Sequence, residues 1–214
     1  MLEPLEAQPL PGLLWLPDAP APAGGWPLIV FLHGYDEAAP APLEQALTRH
    51  GPLHPGNPPA VRRDFILVAP QLPQAGDHWL RFDAALLQIL EWVLAAHPAD
   101  PARCYLSGFS FGGNGVFDLG IAHPRRWAAL WSVDPTRLPR SPVVTPLWLS
   151  IGQVARRLEM RFIESLELSP AGSEPQGERL YLDEGADHVG SARLAYRDPR
   201  IYAWLLAHRR GDFG

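Results

Sequence analysis

Residues 103–123 read RCYLSGFSFGGNGVFDLGIAH, and the break in the middle of that stretch decides the fold. Arg103 to Leu106 is a short run of strand type, and the residues after Ser110 form a helix-compatible run closed by Pro124. Between them, Gly108-Phe109-Ser110-Phe111-Gly112 fits the pattern G-x-S-x-G. A serine held at the tip of a sharp strand-to-helix turn needs neighbours without a β-carbon, because the backbone passes closely on both sides. The same turn aims the amide of Phe111 and the start of the helix at the point where an oxyanion would form. Ser110 is the candidate nucleophile and the Phe111 amide a candidate oxyanion donor; the competing reading is a glycine-rich turn with a capping serine.

The alternation extends along the chain. Leu28–Leu32, Phe65–Ala69, Arg103–Leu106, Ala128–Val133, Leu147–Ile151 and Arg179–Leu182 read as strands, most of them apolar on both faces. Helices are expected at 79–96, just after Ser110, around 156–167 and at 199–208. This predicts an α/β fold, a mostly parallel central sheet with helices on both faces, whose ligands bind beyond the carboxyl ends of the strands. The polar stretch SPAGSEPQG at 169–177 reads as a surface loop. With 214 residues, one domain spanning 1–214 buries about 70% of its extended-chain surface without a staple.

Composition narrows the partners. A chain that is 47% apolar and 19% charged, with a net charge of -5, carries no basic stripe for nucleic acid. The single cysteine, Cys104, leaves no intramolecular disulfide and no thiolate metal cluster, and reads as a small buried hydrophobe. The opening MLEPLEAQPLPGLLWLPDAP has acids and prolines where a secretory signal needs a basic start and an apolar core, and no run nears the roughly 20 apolar residues of a membrane span. The expectation is a cytoplasmic protein with neither a membrane nor a nucleic acid as partner.

Two further segments carry chemistry. Phe31-Leu32-His33-Gly34-Tyr35 ends a strand in His-Gly, and the loop that follows is where a second oxyanion donor belongs, assigned to the backbone amide of Tyr35. His33 itself reads as a shaper of that loop. Downstream, 181–188 (YLDEGADH) ends a late strand in a turn carrying His188, placed as the general base for Ser110 because imidazole titrates near neutrality. His50, His54, His78, His97, His123 and His208 lie in loops or near helix ends and read as surface or structural residues.

Taken together, LIVFLHGYDEA, FILVAPQLP followed by Trp79, CYLSGFSFGGNGVFDLGIAHPRRWAALWSV and GADHVGSARLAYRDPRIYAWLLAHRR resemble the α/β-hydrolase superfamily. Within it, the chain is similar to phospholipase/carboxylesterase-like, feruloyl-esterase-like and predicted-peptidase-like serine esterases, over almost all of Trp26 to Arg209. The resemblance implies hydrolysis of a small-molecule ester through an acyl-enzyme on Ser110, with His188 as base and no metal or organic cofactor. It also places Glu37 where such proteins carry a carboxylate that shapes the oxyanion loop; the alternative is a solvated loop acid. There is no room for a large lid between the sixth and seventh strands of that fold, which favours small or extended acyl esters.

The chain departs from the family at the triad acid, which the resemblance puts in a G-x-x-D segment after PLWLSIG. Here that segment reads Gly152-Gln153-Val154-Ala155, and Ala155 stands in the acid's place. Asp134, at the end of WSVD one strand earlier, is the candidate replacement, since neighbouring strands lie only about 4.8 Å apart. It also reads as a strand-end aspartate preparing the turn at Pro135. Asp183, Glu184, Asp187 and Glu159 are weaker rivals. With no acid at all, the protein would be a catalytically degenerate binder, while a thioesterase or dienelactone-type hydrolase would share the same fold. Tyr35, Trp79, Phe109, Phe111 and Trp131 gather near strand ends, and Trp79 and Phe109 are expected to line a substrate pocket.

Overall fold

Among the described residues, 1–6 and 8–211, a computed structural model joins nine strands into one sheet. They are β1 (Leu2–Pro4), β2 (Gly12–Trp15), β3 (Trp26–Leu32), β4 (Ile66–Pro70), β5 (Ala99–Phe109), β6 (Ala129–Val133), β7 (Leu147–Ile151), β8 (Ser169–Pro170) and β9 (Arg179–Asp183). Their order across the sheet is β1-β2-β4-β3-β5-β6-β7-β9-β8. All pairings from β4 across to β8 are parallel, and the two pairings at one edge, β1 with β2 and β2 with β4, are antiparallel, so β2 alone runs against the other strands.

Eight α-helices accompany them among the described residues: α1 (Leu43–Leu47), α2 (Pro59–Asp64), α3 (Asp83–Ala96), α4 (Phe111–Ala122), α5 (Gln153–Arg156), α6 (Glu159–Leu166), α7 (His188–Ala195) and α8 (Pro199–Leu206). The period-2 alternation of β3 shows how they divide. Leu28, Val30 and Leu32 face a cluster shared with Leu86, Ile89 and Leu90 of α3, Val116 and Phe117 of α4, and Phe162 of α6. Ile29 and Phe31 face the other cluster, with Leu47 of α1, Val61 of α2, Ala192 of α7 and Ile201 and Leu205 of α8. Both faces are covered, and each fully buried side chain of this size contributes on the order of 1.5–3 kcal/mol. None of the described helices is long and apolar enough to cross a membrane.

The strand order sets up the site. From β3 the chain moves to β4 on one side, then crosses to β5 on the other, so the loops leaving the carboxyl ends of β3 and β5 diverge. A crevice opens at such a switch point. The His33-Gly34-Tyr35 loop leaves from one wall and Ser110 from the other.

The structure corrects several boundaries. The helix expected at 79–96 begins as a 3-10 turn, Trp79–Phe82, before α3, and the one expected at 156–167 is two short helices, α5 and α6. Strands β1 and β2 were not foreseen, because prolines at 4, 9, 11 and 17 read as loop punctuation although β2 pairs with β4 over four residues. The predicted loop at 169–177 opens on the two-residue strand β8. Cys104 is buried in the core, and burial pushes its thiol up to about 12.

Candidate active site

Strand β5 ends at Phe109, and the chain turns at Ser110 with φ 58° and ψ -115° before α4 begins at Phe111. That left-handed conformation of a non-glycine residue costs about 1–3 kcal/mol and persists only where its surroundings enforce it. Two contacts do so. The Ser110 amide donates to the Val133 carbonyl at 2.9 Å, tying the turn to the end of β6, and α4 presses against the end of β3. A β-carbon at Gly112 would fall 1.8 Å from the Leu32 carbonyl oxygen, so the last glycine of G-x-S-x-G is a requirement of close packing.

The three residues nominated for the triad meet. Ser110 Oγ lies 2.9 Å from His188 Nε2, and His188 Nδ1 is hydrogen-bonded to Asp134 Oδ2. A carboxylate only accepts, so Nδ1 carries the ring proton and Nε2 offers its lone pair to the Ser110 hydroxyl. Asp134 is fully buried at the end of β6 with φ 40°, Ser110 is 6% exposed, and the His188 side chain is 30% exposed.

Ala155 acquires a physical role. With no side-chain acid at that position, its backbone amide donates to Asp134 Oδ1 at 2.9 Å, beside the Gly152 amide at 3.0 Å. The tight turn from β7 into α5 therefore closes over the carboxylate of the neighbouring strand, with Oδ1 held by amides and Oδ2 left for His188. Register explains the reach: Val133 pairs with Ser150, and the Asp134 amide donates to the Ser150 carbonyl at 2.8 Å. Gly152 is part of this fit, since a β-carbon there would meet Ser191 Oγ at 2.0 Å and Asp134 Oδ2 at 2.8 Å. Gly152→Ala is expected to lower stability by about 1–3 kcal/mol, a fall of several degrees in Tm by calorimetry.

The rival acids are spent elsewhere. Asp187 caps α7 by accepting the Gly190 amide, Asp183 pairs with Arg156 at 2.8 Å, and Glu159 opens α6. His188 is the first residue of α7, a helix absent from the sequence reading, and that helix fixes the direction of its side chain. Asn114, also not foreseen, pins the loop after Asp134: its Nδ2 donates to Thr136 Oγ1 at 2.6 Å and its Oδ1 accepts the Thr136 and Arg137 amides. An amide side chain in the small and apolar run of α4 was the available signal.

The two oxyanion candidates face the same crevice, with the rings of Tyr35 and Phe111 in edge contact at 5.4 Å. Phe111 N–H opens α4 and has no intrahelical acceptor, and the Tyr35 amide donates to no other group among the described residues. Beneath the loop, His33 accepts the Leu72 amide on Nε2 at 2.9 Å and turns Nδ1 to the Gly34 carbonyl at 2.6 Å. Burial pushes its pKa down to about 4, which keeps the ring neutral and able to play both parts.

Trp79 and Phe109 correct the expectation of a pocket. Trp79 is 1% exposed and packs edge-on against His33, its indole N–H donating to the His33 carbonyl at 3.2 Å. Phe109 is 4% exposed and lies between His188, at 4.7 Å between ring centres, and His50, at 5.1 Å. The first supports the His33-Gly34-Tyr35 loop from below and the second backs the imidazole. Exposed apolar surface at the crevice comes instead from Tyr35, 49% exposed.

No protein-family model matches the chain, and no curated protein matches it in sequence. Solved structures do match in shape. A thermostable esterase superposes with a TM-score of 0.75 at 21% identity over 98% of this chain, which spans 63% of that esterase's length. The S-formylglutathione hydrolase of Staphylococcus aureus gives 0.68 at 13% identity, covering 96% of each chain. The feruloyl esterase module of Clostridium thermocellum, complexed with sinapinate, gives 0.68 at 12%, covering 94% of this chain and 86% of that one. The fold is that of the α/β-hydrolases.

On this α/β-hydrolase frame β6 and β7 are joined by residues 134–146, which hold no helix or strand, so no large lid rises there. Glu184, at the exit of β9, is the one rival acid with an upward shift: burial and then Asp198 push it to about 7 against the pull of Arg200. A carboxyl raised in the folded state binds its proton more tightly there than in the unfolded chain. Its contribution to stability is therefore present below about pH 4.5 and is lost as the pH climbs to 7. Glu184→Gln is expected to flatten the fall in Tm between pH 5 and pH 8; an unaltered slope would show that the shift carries no stability.

Proposed function

We propose that the protein is a carboxylesterase-like serine hydrolase that cleaves small or extended acyl esters through an acyl-enzyme on Ser110. The carrying observation is the unbroken hydrogen-bond path from Ser110 Oγ through His188 to Asp134. His188 Nε2 takes the hydroxyl proton as Ser110 Oγ attacks the ester carbonyl, and the carbonyl oxygen becomes an oxyanion between the Phe111 and Tyr35 amides. Collapse of this tetrahedral adduct breaks the bond to the alkoxy leaving group, which receives the proton from His188. Water then attacks the acyl-enzyme by the same route, releasing the acid and restoring the serine.

Asp134 holds the ring with its proton on Nδ1 and steadies the imidazolium that forms during transfer. Ala155 in the acid's place would suit a binding-only protein, but the Asp134–His188 contact favours turnover instead. The open β6–β7 connection and the exposed Tyr35 ring suit esters that lie along a shallow crevice. Stopped-flow hydrolysis of p-nitrophenyl acetate tests the mechanism: a burst of p-nitrophenol approaching the molar amount of enzyme, then a slower steady phase, is expected. A linear course with no more product than Ser110→Ala gives would overturn the proposal.

A further inference from the structure

Beside the triad the fold builds a second recess. Loop 49–57 and the flank of α7 enclose a cavity of about 50 Å³ lined by Arg49, His50, His54, Asn57, Arg193 and Tyr196. That volume holds a few waters or one small oxyanion. It adjoins the reacting centre across a row of packed rings, His50 against Phe109 and Phe109 against His188. At about 1.5 Å of rise per residue, Arg193 sits roughly 7–8 Å along α7 from His188, within the reach of one substrate molecule.

The recess is cationic in a chain whose net charge is -5. Arg193, and Arg197 one turn further on, have no carboxylate partner among the described residues, and the adjacent Asp198 is taken by Arg200 at 2.6 Å. Glu37 is the acid on this side: its buried carboxylate lies 3.5 Å from His50 Nε2 and faces Arg49. It offsets Arg49 and leaves Arg193 uncompensated. Burial and then Arg49 push His50 down to about 4, and burial followed by Arg197 and Arg193 lowers His54. Both rings are thus neutral near pH 7. His54 Nδ1 accepts the Gly56 amide at 2.9 Å, so its ring proton is on Nε2, free to donate to a ligand.

We propose that this recess is a subsite for an oxyanion, a carboxylate or a phosphate, carried by the ester substrate. Arg193 and Arg49 supply charge, and the His54 N–H supplies a neutral donor. The inference rests on the serine hydrolase reading for its claim that the anion belongs to a substrate.

The test compares mono-p-nitrophenyl glutarate with neutral p-nitrophenyl butyrate in the wild type, in Arg193→Gln, and in Arg161→Gln on the exposed side of α6 as a charge-matched control. One charge-assisted contact is worth about tenfold or more, so Arg193→Gln should lower the anionic-to-neutral ratio of kcat/KM about tenfold while Arg161→Gln leaves it unchanged. A ratio in Arg193→Gln equal to the wild-type value overturns the subsite. A second readout does not need turnover: glutarate and inorganic phosphate are titrated into Ser110→Ala against the histidine-ring NMR signals. Saturable shifts that weaken about tenfold on adding Arg193→Gln are expected, and the anion that saturates first identifies the preferred group. Absence of saturation with both anions overturns the proposal. Saturation in a protein that hydrolyses no ester would retain the anion site and overturn the hydrolase reading alone.

Discussion

Asp134→Asn lowers kcat on p-nitrophenyl acetate by about ten-thousand-fold, roughly 5 kcal/mol of transition-state stabilisation, with KM changed by no more than a few fold. Oδ1 receives the Gly152 and Ala155 amides, and Oδ2 receives His188 Nδ1–H. Asparagine can keep the carbonyl side of this arrangement, so the two amides remain satisfied and the turn after β7 stays closed. Its NH2 group then replaces Oδ2 and presents a donor to a donor. The imidazole answers by moving its proton to Nε2, where it no longer accepts from Ser110. The loss therefore falls on the chemical step, and Tm drops far less than the rate. A variant that keeps its rate within about tenfold of the wild type would remove Asp134 from the role of orienting acid.

Ser110→Ala and His188→Ala each lower kcat by about a million-fold, and combining them costs scarcely more than either alone. The two groups act as one unit: without the hydroxyl there is no acyl-enzyme, and without Nε2 the hydroxyl proton has no acceptor. What survives is catalysis by the amides of Phe111 and Tyr35 acting on attacking water. Ser110→Ala also separates chemistry from folding. The Ser110 side chain makes its single hydrogen bond to His188, and alanine meets the same φ of 58° that serine does, so Tm is expected to stay within a few degrees. Losses that multiply in the double variant would mean that the two residues act independently.

The fold was legible where it is carried by local pattern. Strands β3, β4, β6 and β7 are apolar runs, interrupted in β6 and β7 only by the buried Ser132 and Ser150, because both faces of the sheet are covered, and that burial is written into each run itself. Strands β1 and β2 were not legible: GLLW lies between Pro11 and Pro17, and it becomes a strand only because β4 offers it a partner edge. Helix α7 was hidden for the complementary reason. HVGSARLA has a glycine and little apolar periodicity, and the helix is held by its Asp187 cap and by Ala192 and Ala195 packing under it.

The site divides the same way. Ser110 and Phe111 follow from five consecutive residues, whereas the meeting of Asp134 with His188 depends on the β6–β7 register and on the early start of α5. Neither can be seen in any one segment. Ala155 looked like a missing acid because a side chain was expected to do what a backbone amide, bonded to the acid of the next strand, does from the same position. Trp79 and Phe109 were nominated as aromatics near strand ends, a description that does not separate a ring facing the crevice from one packed beneath it.

The central claim, that Ser110 is an activated nucleophile, is tested most directly by labelling with a fluorophosphonate and mapping the modified peptide by mass spectrometry. Labelling confined to Ser110, fast in the wild type, slowed by orders of magnitude in Asp134→Asn and absent from Ser110→Ala, is the predicted result. A wild-type protein that stays unlabelled, or a label that persists in Ser110→Ala, would contradict the account.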